Sequence, residues 1–412
     1  MKSASHIDYI LVGAVVLLLA FGSQMVYSAS VVIAHNEFGD ETYFFTRQLT
    51  WIAIGTVGLI VAASVDYHRW QKVSLLLLII TVVALILVLV PGLGTVQYGS
   101  ARWLKLGPLP SFQPSELAKV AVVIYMADWL ARKGKRVSKF TTGSIPFLII
   151  LSVVAGLVIV EPDMGTAVII CAVAFSVFFV AGANLWHLVL GFVPGGIITS
   201  LLLTFAAPYR AERFAGFLDP LADPLGKGWQ AMQTFIALGS GGLTGVGFGM
   251  SRQKAYFLPN AHTDSILAII GEELGLIGTM VVIVLLMVIG WRGLLIALRA
   301  PDPYGRLLAL GLTAKILWQA IINIGAVTSS LPYTGVTLPF VSFGGNSLVM
   351  TMIGIGLMLS VSRFAQVTPA ANRVNRPPTE PPHPIDKHPR SIDRHPRAGS
   401  GAYPVAGSRA HA

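Results

Sequence analysis

A single aspartate, Asp264, stands where the chain changes character. Residues 251–263 (SRQKAYFLPNAHT) are polar and loop-like, and an apolar helix is expected over 265–290. A helix of that length can cross a bilayer, which takes about 20 residues. A carboxylate at such a junction meets water on one side and lipid on the other. The place suits chemistry on a substrate with a lipid tail and a water-soluble head. The competing account makes Asp264 an N-cap, with Thr263 or Ser265 sharing that job. His262, two residues earlier, is either a partner of the aspartate or a plain loop residue.

Other charged groups fall near the same boundary. Glu116 and Lys119 are three residues apart in QPSELAK, so a helix starting at Pro114 puts them on one face. They form either a self-neutralising pair or a functional pair in a water-filled cavity. Asp163, in EPDMGTA, caps the next helix, takes part in function, or does both. Arg210 and Arg213 share a face if helical and could grip a pyrophosphate, or snorkel at the interface. Arg102 sits with Trp103 in GSARWLKLGPLP. Glu272 and Glu273 lie deeper in the expected helix, with Lys315 as a plausible partner, a largely structural set.

The elements that hold these groups are membrane spans. The chain has 412 residues, 54% hydrophobic and only 12% charged, with mean hydropathy +0.71. A soluble protein could not cover such a chain with polar surface, so an all-α polytopic membrane protein is expected. Ten spans are expected, over 8–28, 45–65, 73–92, 114–132, 144–160, 164–182, 187–207, 265–290, 307–328 and 340–363. Connections are short except 208–264. Within that loop, 229–238 is amphipathic enough to lie on the membrane surface. The glycines from Gly239 to Gly249 lack the Lys-Ser/Thr pair of a P-loop and read as flexible loop. LPYTGVTLPFVSFGGNS is an uncharged segment that folds back and could line a cavity. Residues 1–363 therefore form one membrane domain. The Pro/His/Arg-rich stretch 364–412 reads as a disordered tail. Cys171, the sole cysteine, reads as a packed small hydrophobe.

Basic residues set the orientation. With the N-terminus inside, the inner segments collect Lys2, Arg69, Lys72, Arg132, Lys133, Lys135, Arg136, Lys139, Arg292, Arg299, Arg306 and the basic residues of the tail. The outer segments are poorer in them, so both termini are expected in the cytoplasm. The net charge of +10 then reflects topology and anionic lipid, and nucleic-acid binding is excluded. Loop 208–264, the turn at Asp163, the entry to Glu116 and the segment 331–347 all fall on the outer side.

QPSELAK, EPDMGTA, YRAERFAGFLDP, DPLGKGWQAMQ, IALGSGGLTGVGFGMSRQK, LPNAHTD, IGEELGLIG and LPYTGVTLPFVSFGGNS together resemble the SEDS family of FtsW, RodA and SpoVE proteins, over about 8–363. MVYSAS and the alanine of AHTD lean toward the FtsW branch. Ser265 and Asn346 depart from the family's usual Phe and Ser.

The resemblance implies a peptidoglycan glycosyltransferase of the bacterial cytoplasmic membrane. Its substrate would be lipid II, an undecaprenyl-pyrophosphoryl disaccharide-pentapeptide, polymerised on the outer face. Its partner would be a class B penicillin-binding protein that crosslinks the glycan, within the division or elongation machinery. Asp264 matches the family's catalytic aspartate, and Glu116, Lys119 and Asp163 match other required positions. As general base, Asp264 would take the proton of the acceptor 4-hydroxyl as it attacks C1 of the donor, with inversion. Arg210, Arg213, Lys119 and a divalent cation such as Mg or Mn would steady the departing pyrophosphate. The rivals are a lipid II flippase and a non-catalytic scaffold. Charges gathered at the outer rim favour the enzyme over both.

Overall fold

The computed structural model describes residues 7–97, 100–105, 111–184, 186 and 216–364. The expected span 187–207, Arg210, Arg213 and the tail from 365 onward lie outside the described residues. Elsewhere a helix covers each expected span: α1 Tyr9–Phe38, α2 Tyr43–Ser64, the short α3 Tyr67–Lys72, α4 Ser74–Leu89, α5 Pro114–Lys133, α6 Ile145–Val160, α7 Met164–Val180, α8 Trp229–Gly241, α9 Ile266–Arg299, α10 Pro303–Val327 and α11 Gly345–Phe364. Six of the membrane candidates among the described residues are long and apolar enough to cross a bilayer, and α4 and α7 are shorter apolar helices. The chain is a multi-pass membrane protein.

Several helix starts follow directly from sequence. Asp8 caps α1 by accepting from Leu11 N at 3.0 Å. Asp163 caps α7, its Oδ1 accepting from Thr166 N at 3.1 Å. Asp302 accepts from Gly305 N at 2.9 Å, and Pro303 opens α10. Each cap satisfies a backbone N–H that lacks an intrahelical partner.

The interior is organised around α10, which packs against α5, α7, α9 and α11. The most apolar window of α10 is 67% buried and that of α2 only 11%, so α10 is a core helix and α2 lies on the outside of the bundle. α11 lies along α2, and α1 lies along both α2 and α9.

α9 differs from the unbroken helix expected. It runs on to Arg299 and is interrupted at Gly275, where φ is 65° and ψ −160°. The glycine run after α8 fills the break. Leu276 N donates to Gly242 O at 3.0 Å and Ile277 N to Leu243 O at 3.2 Å. In the other direction, Val246 N and Gly247 N each donate at 3.0 Å, to Glu272 O and Glu273 O. The backbone groups freed by the break are thus re-paired, as an apolar environment demands. A Cβ on Gly275 would stand 2.5 Å from Gly245 N, and one on Gly245 would stand 2.1 Å from Glu273 O. The stretch expected to be a flexible loop is a brace, with no room for a side chain where Gly245 meets Gly275.

Two other expectations change. The chain before α5 contains an antiparallel hairpin, β1 Gly94–Gln97 with β2 Ser100–Leu104, extended by a bridge between Leu104 and Phe112. The fold is helical with this one small sheet among the described residues. α8 packs its Ala231, Thr234 and Ala237 side against α9, leaving Phe235 and Ile236 exposed. It is a bracket on the first half of α9, with Leu238 and Gly241 against Gly271.

Candidate active site

Asp264 sits just before α9 and is 7% exposed. Ser265 holds the N-cap position of α9, and its side chain makes no capping hydrogen bond. Thr263 Oγ1 donates to Asp264 Oδ1 at 3.1 Å. The backbone carbonyl of Asp264 accepts from Asn323 Nδ2, on α10, at 2.8 Å. Thr263 N and Ser265 N both donate to Asn260 O, at 3.0 and 3.3 Å, which closes the turn. Tyr333 comes in from the segment between α10 and α11, its hydroxyl bonded to Thr234 of α8. Burial pushes the Tyr333 hydroxyl up to about 12 against the pull of Thr234, and the charge of Asp264 adds to the rise. Tyr333 is therefore a neutral hydrogen-bonding group near the carboxylate at ordinary pH.

His262 does not face the aspartate. Its ring lies between Phe44 and Phe343, with centroids 4.4 and 5.7 Å away. Its backbone carbonyl accepts from Phe343 N at 2.9 Å. Burial pulls its pKa down to about 4, so the ring is neutral and serves packing.

The loop leading to Asp264 is held from below by Glu272 and Glu273. Glu272 accepts from Arg252 N at 3.0 Å and from the Ser251 hydroxyl. Glu273 pairs with Lys254 Nζ at 3.0 Å and accepts from Ser28 of α1 at 2.7 Å. Lys254 also donates to Gly249 O at 2.6 Å. The expected partner, Lys315, instead donates to Thr351 of α11 at 2.6 Å. The break at Gly275 leaves both glutamates on the short first half of α9, where the outgoing loop wraps over them.

A second cluster lies at the start of α5. Lys119 Nζ is 2.7 Å from Glu116 Oε1, with both side chains buried, and 3.4 Å from Gln319 Oε1 of α10. Asp163 adds to its cap a second set of bonds: its Oδ2 accepts from Gln113 at 3.2 Å and Ser115 at 3.3 Å. Cap and tether coexist. Arg102 reaches the same turn, bonding Glu161 O at 3.2 Å and Pro162 O. Its guanidinium pins the hairpin to the α6–α7 turn.

Gln319 and Asn323 join the two clusters through α10. Gln319 touches Lys119 on one side and Thr337 O, at 3.0 Å, on the other. Among the described residues, no three His, Cys, Asp or Glu side chains converge closely enough to hold a metal ion.

Residues 9–367 match the family model FTSW_RODA_SPOVE, described as cell cycle protein. The chain belongs to this SEDS family. It is 42% identical to stage V sporulation protein E of Bacillus subtilis over 360 residues, covering 87% of this chain and 98% of that one. It is 39% identical to a probable peptidoglycan glycosyltransferase FtsW of Trichlorobacter lovleyi, covering 89% and 96%. Among solved structures it is similar to a chain from work on structural coordination of polymerization and crosslinking by a peptidoglycan synthase complex. That match has TM-score 0.69 and 27% identity, covering 87% and 98%. It is also similar to the rod shape determining protein RodA of Thermus thermophilus, with TM-score 0.63 and 26% identity, covering 87% and 97%.

Ser265 and Asn346, expected from the resemblance to be departures, each find a local partner. Ser265 is buried and accepts from Gln230 of α8 at 3.4 Å. Asn346 donates to Ser111 O at 2.9 Å, tying the start of α11 to the entry of α5. Sequence reading overlooks Gln319, Asn323, Tyr333 and Glu161. For the first two a signal exists: with Lys315 they place a polar residue at every fourth position of an apolar span. Glu161 is fully buried, with no hydrogen bond to either carboxylate oxygen among the described residues.

Proposed function

We propose that this SEDS protein is a peptidoglycan glycosyltransferase that polymerises lipid II, with Asp264 as general base. In this reading ten helices span the cytoplasmic membrane of a bacterium, with both termini inside and Asp264 at the outer face. The carboxylate takes the proton of the acceptor 4-hydroxyl as that oxygen forms its bond to C1 of the donor. The bond from C1 to the pyrophosphate oxygen breaks on the opposite face, so the configuration inverts and undecaprenyl pyrophosphate leaves with the bonding pair. Arg210 and Arg213, in the same loop, are assigned to the departing pyrophosphate, and Lys119 to the cationic field around it. Glu116, Asp163 and Arg102 support that end of the bundle, and His262 supports the loop. Likeness to a synthase complex that coordinates polymerization and crosslinking supports a crosslinking partner, assigned here as a class B penicillin-binding protein.

The observation that carries the assignment is the setting of Asp264. It is a buried carboxylate at a loop–helix junction, one residue before the N-cap position, and its backbone is bonded from the core helix. A carboxylate whose backbone is fixed in that manner is held at a set place for proton transfer.

Lipid transport draws on the broken α9 and on the buried Lys119 and Lys315. In transporters such unwound backbone lines a cavity. Here the groups freed at the break are paired by residues 242–247, which favours the transferase.

The test is Asp264→Asn, purified with the class B partner and given lipid II, with glycan chains read on a gel. The expected result is a folded protein that makes no polymer. Near-normal polymer from the variant would remove the base assignment.

A further inference from the structure

On α10, Lys315, Gln319 and Asn323 follow at four-residue spacing, share a face, and are each 1% exposed. Asn323 is the one that reaches the base. Its Nδ2 donates at 2.8 Å to Asp264 O and at 2.8 Å to Val336 O. The amide can be oriented only this way, because both facing groups are carbonyls that accept and never donate. The turn 260–265 is also closed through Asn260 O and held to α8 by Gln230 on Ser265. Its other backbone tie to the segment between α10 and α11 is Phe343 N to His262 O, two residues before the aspartate. One helical turn along, Gln319 makes the corresponding link for Lys119, accepting from its ammonium while donating to Thr337 O and to Ser347 at 3.0 Å.

We propose that Asn323 is a positioning residue for Asp264. It fixes the backbone of the base to α10 and to the 331–344 segment, and so sets the reach of the carboxylate toward the acceptor hydroxyl. Together with Gln319 it registers the base against the Lys119 cluster. The inference rests on the reading of Asp264 as the base. Asn323 touches only backbone carbonyls, so it acts through Asp264 and not on substrate.

The experiment measures kcat and KM for lipid II, and thermal unfolding, for Asn323→Ala and Asp264→Asn in the full chain with its class B partner. A base displaced by about an ångström loses on the order of 100-fold in rate. The expected result for folded Asn323→Ala is a kcat roughly 10- to 100-fold lower with KM within about twofold, the pattern of lost transition-state stabilisation. A kcat within about twofold of the parent protein, or a loss carried by KM, overturns the proposal. Asn323→Asp keeps the shape but loses the paired donors, and it carries the same test where the alanine variant does not fold. Failure of both to fold makes Asn323 a structural residue and overturns the proposal as well. The two readings fail separately. Active Asp264→Asn sinks the base assignment. Inactive Asp264→Asn beside fully active Asn323→Ala sinks only the positioning role.

Discussion

The ammonium of Lys119 lies 2.7 Å from Oε1 of Glu116, and the second oxygen of that carboxylate has no hydrogen bond among the described residues. The pair is therefore asymmetric: its charge is matched and its hydrogen-bonding capacity is not. Removing one member strands a buried charge, which costs about 3–5 kcal/mol, whereas removing both does not. Glu116→Gln and Lys119→Met are each expected to lower folded yield and thermal midpoint, and the double variant to recover most of the loss. Activity should be absent in the double variant, because in the proposed mechanism Lys119 also supplies cationic field. Additive stability losses would refute the coupling, and an active double variant would refute the functional role.

Glu161 gives a pH signature. Burial pushes its carboxyl up to about 8 from 4.5, the charge of Asp163 adds to this, and Arg102 opposes it. The folded state thus holds a proton that the unfolded state has already released between pH 4.5 and 8. Its stabilising contribution is full below about 4.5 and is lost as pH rises through 8. Glu161→Gln should remove this slope, so its thermal midpoint gains on the parent protein as pH is raised from 5 to about 9. Parallel profiles for the two proteins would show that Glu161 is already ionised in the folded state.

The helices were legible because lipid demands long apolar stretches, and Asp8, Asp163, Asp302 and Pro114 mark helix starts by local rules. The break in α9 was not. A glycine inside IGEELGLIG looks the same in an intact helix as at an interruption. What decides is a distant segment, 242–247, whose backbone replaces the missing bonds. Lys315 is not the partner for a similar reason: Ser251 and Lys254, from the segment before α9, reach the two glutamates, and a helical pattern does not show that fold-back. The hairpin escaped notice because strands of four and five residues carry too little alternation to register. Asp264 could be found as a position. That Ser265 holds the N-cap position and Asn323 holds the backbone carbonyl of Asp264 needs three dimensions.

The last prediction concerns the side of the membrane on which Asp264 works. Three lines converge on the outside. Basic residues are sparse in the segments that surround Asp264 and dense in the segments at the far ends of α5 and α9. A lipid-linked sugar substrate keeps its tail in the bilayer and its sugars in water, so the base must stand at that boundary. Asp163, Lys119 and Asp264 are tied into one end of the bundle through Ser115, Gln319 and Asn323, so they share a side. A reporter cysteine is best placed at Ala255, which is exposed in the same loop. Asn260 is less suitable, because its φ of 53° would strain a cysteine. With Cys171 replaced by alanine, Ala255→Cys should react in intact cells with a membrane-impermeant thiol reagent. Lys139→Cys, exposed beyond the other end of α5, should react only after the cells are broken. The reverse pattern would put Asp264 inside, and the topology, the base assignment and the transferase reading would fall together.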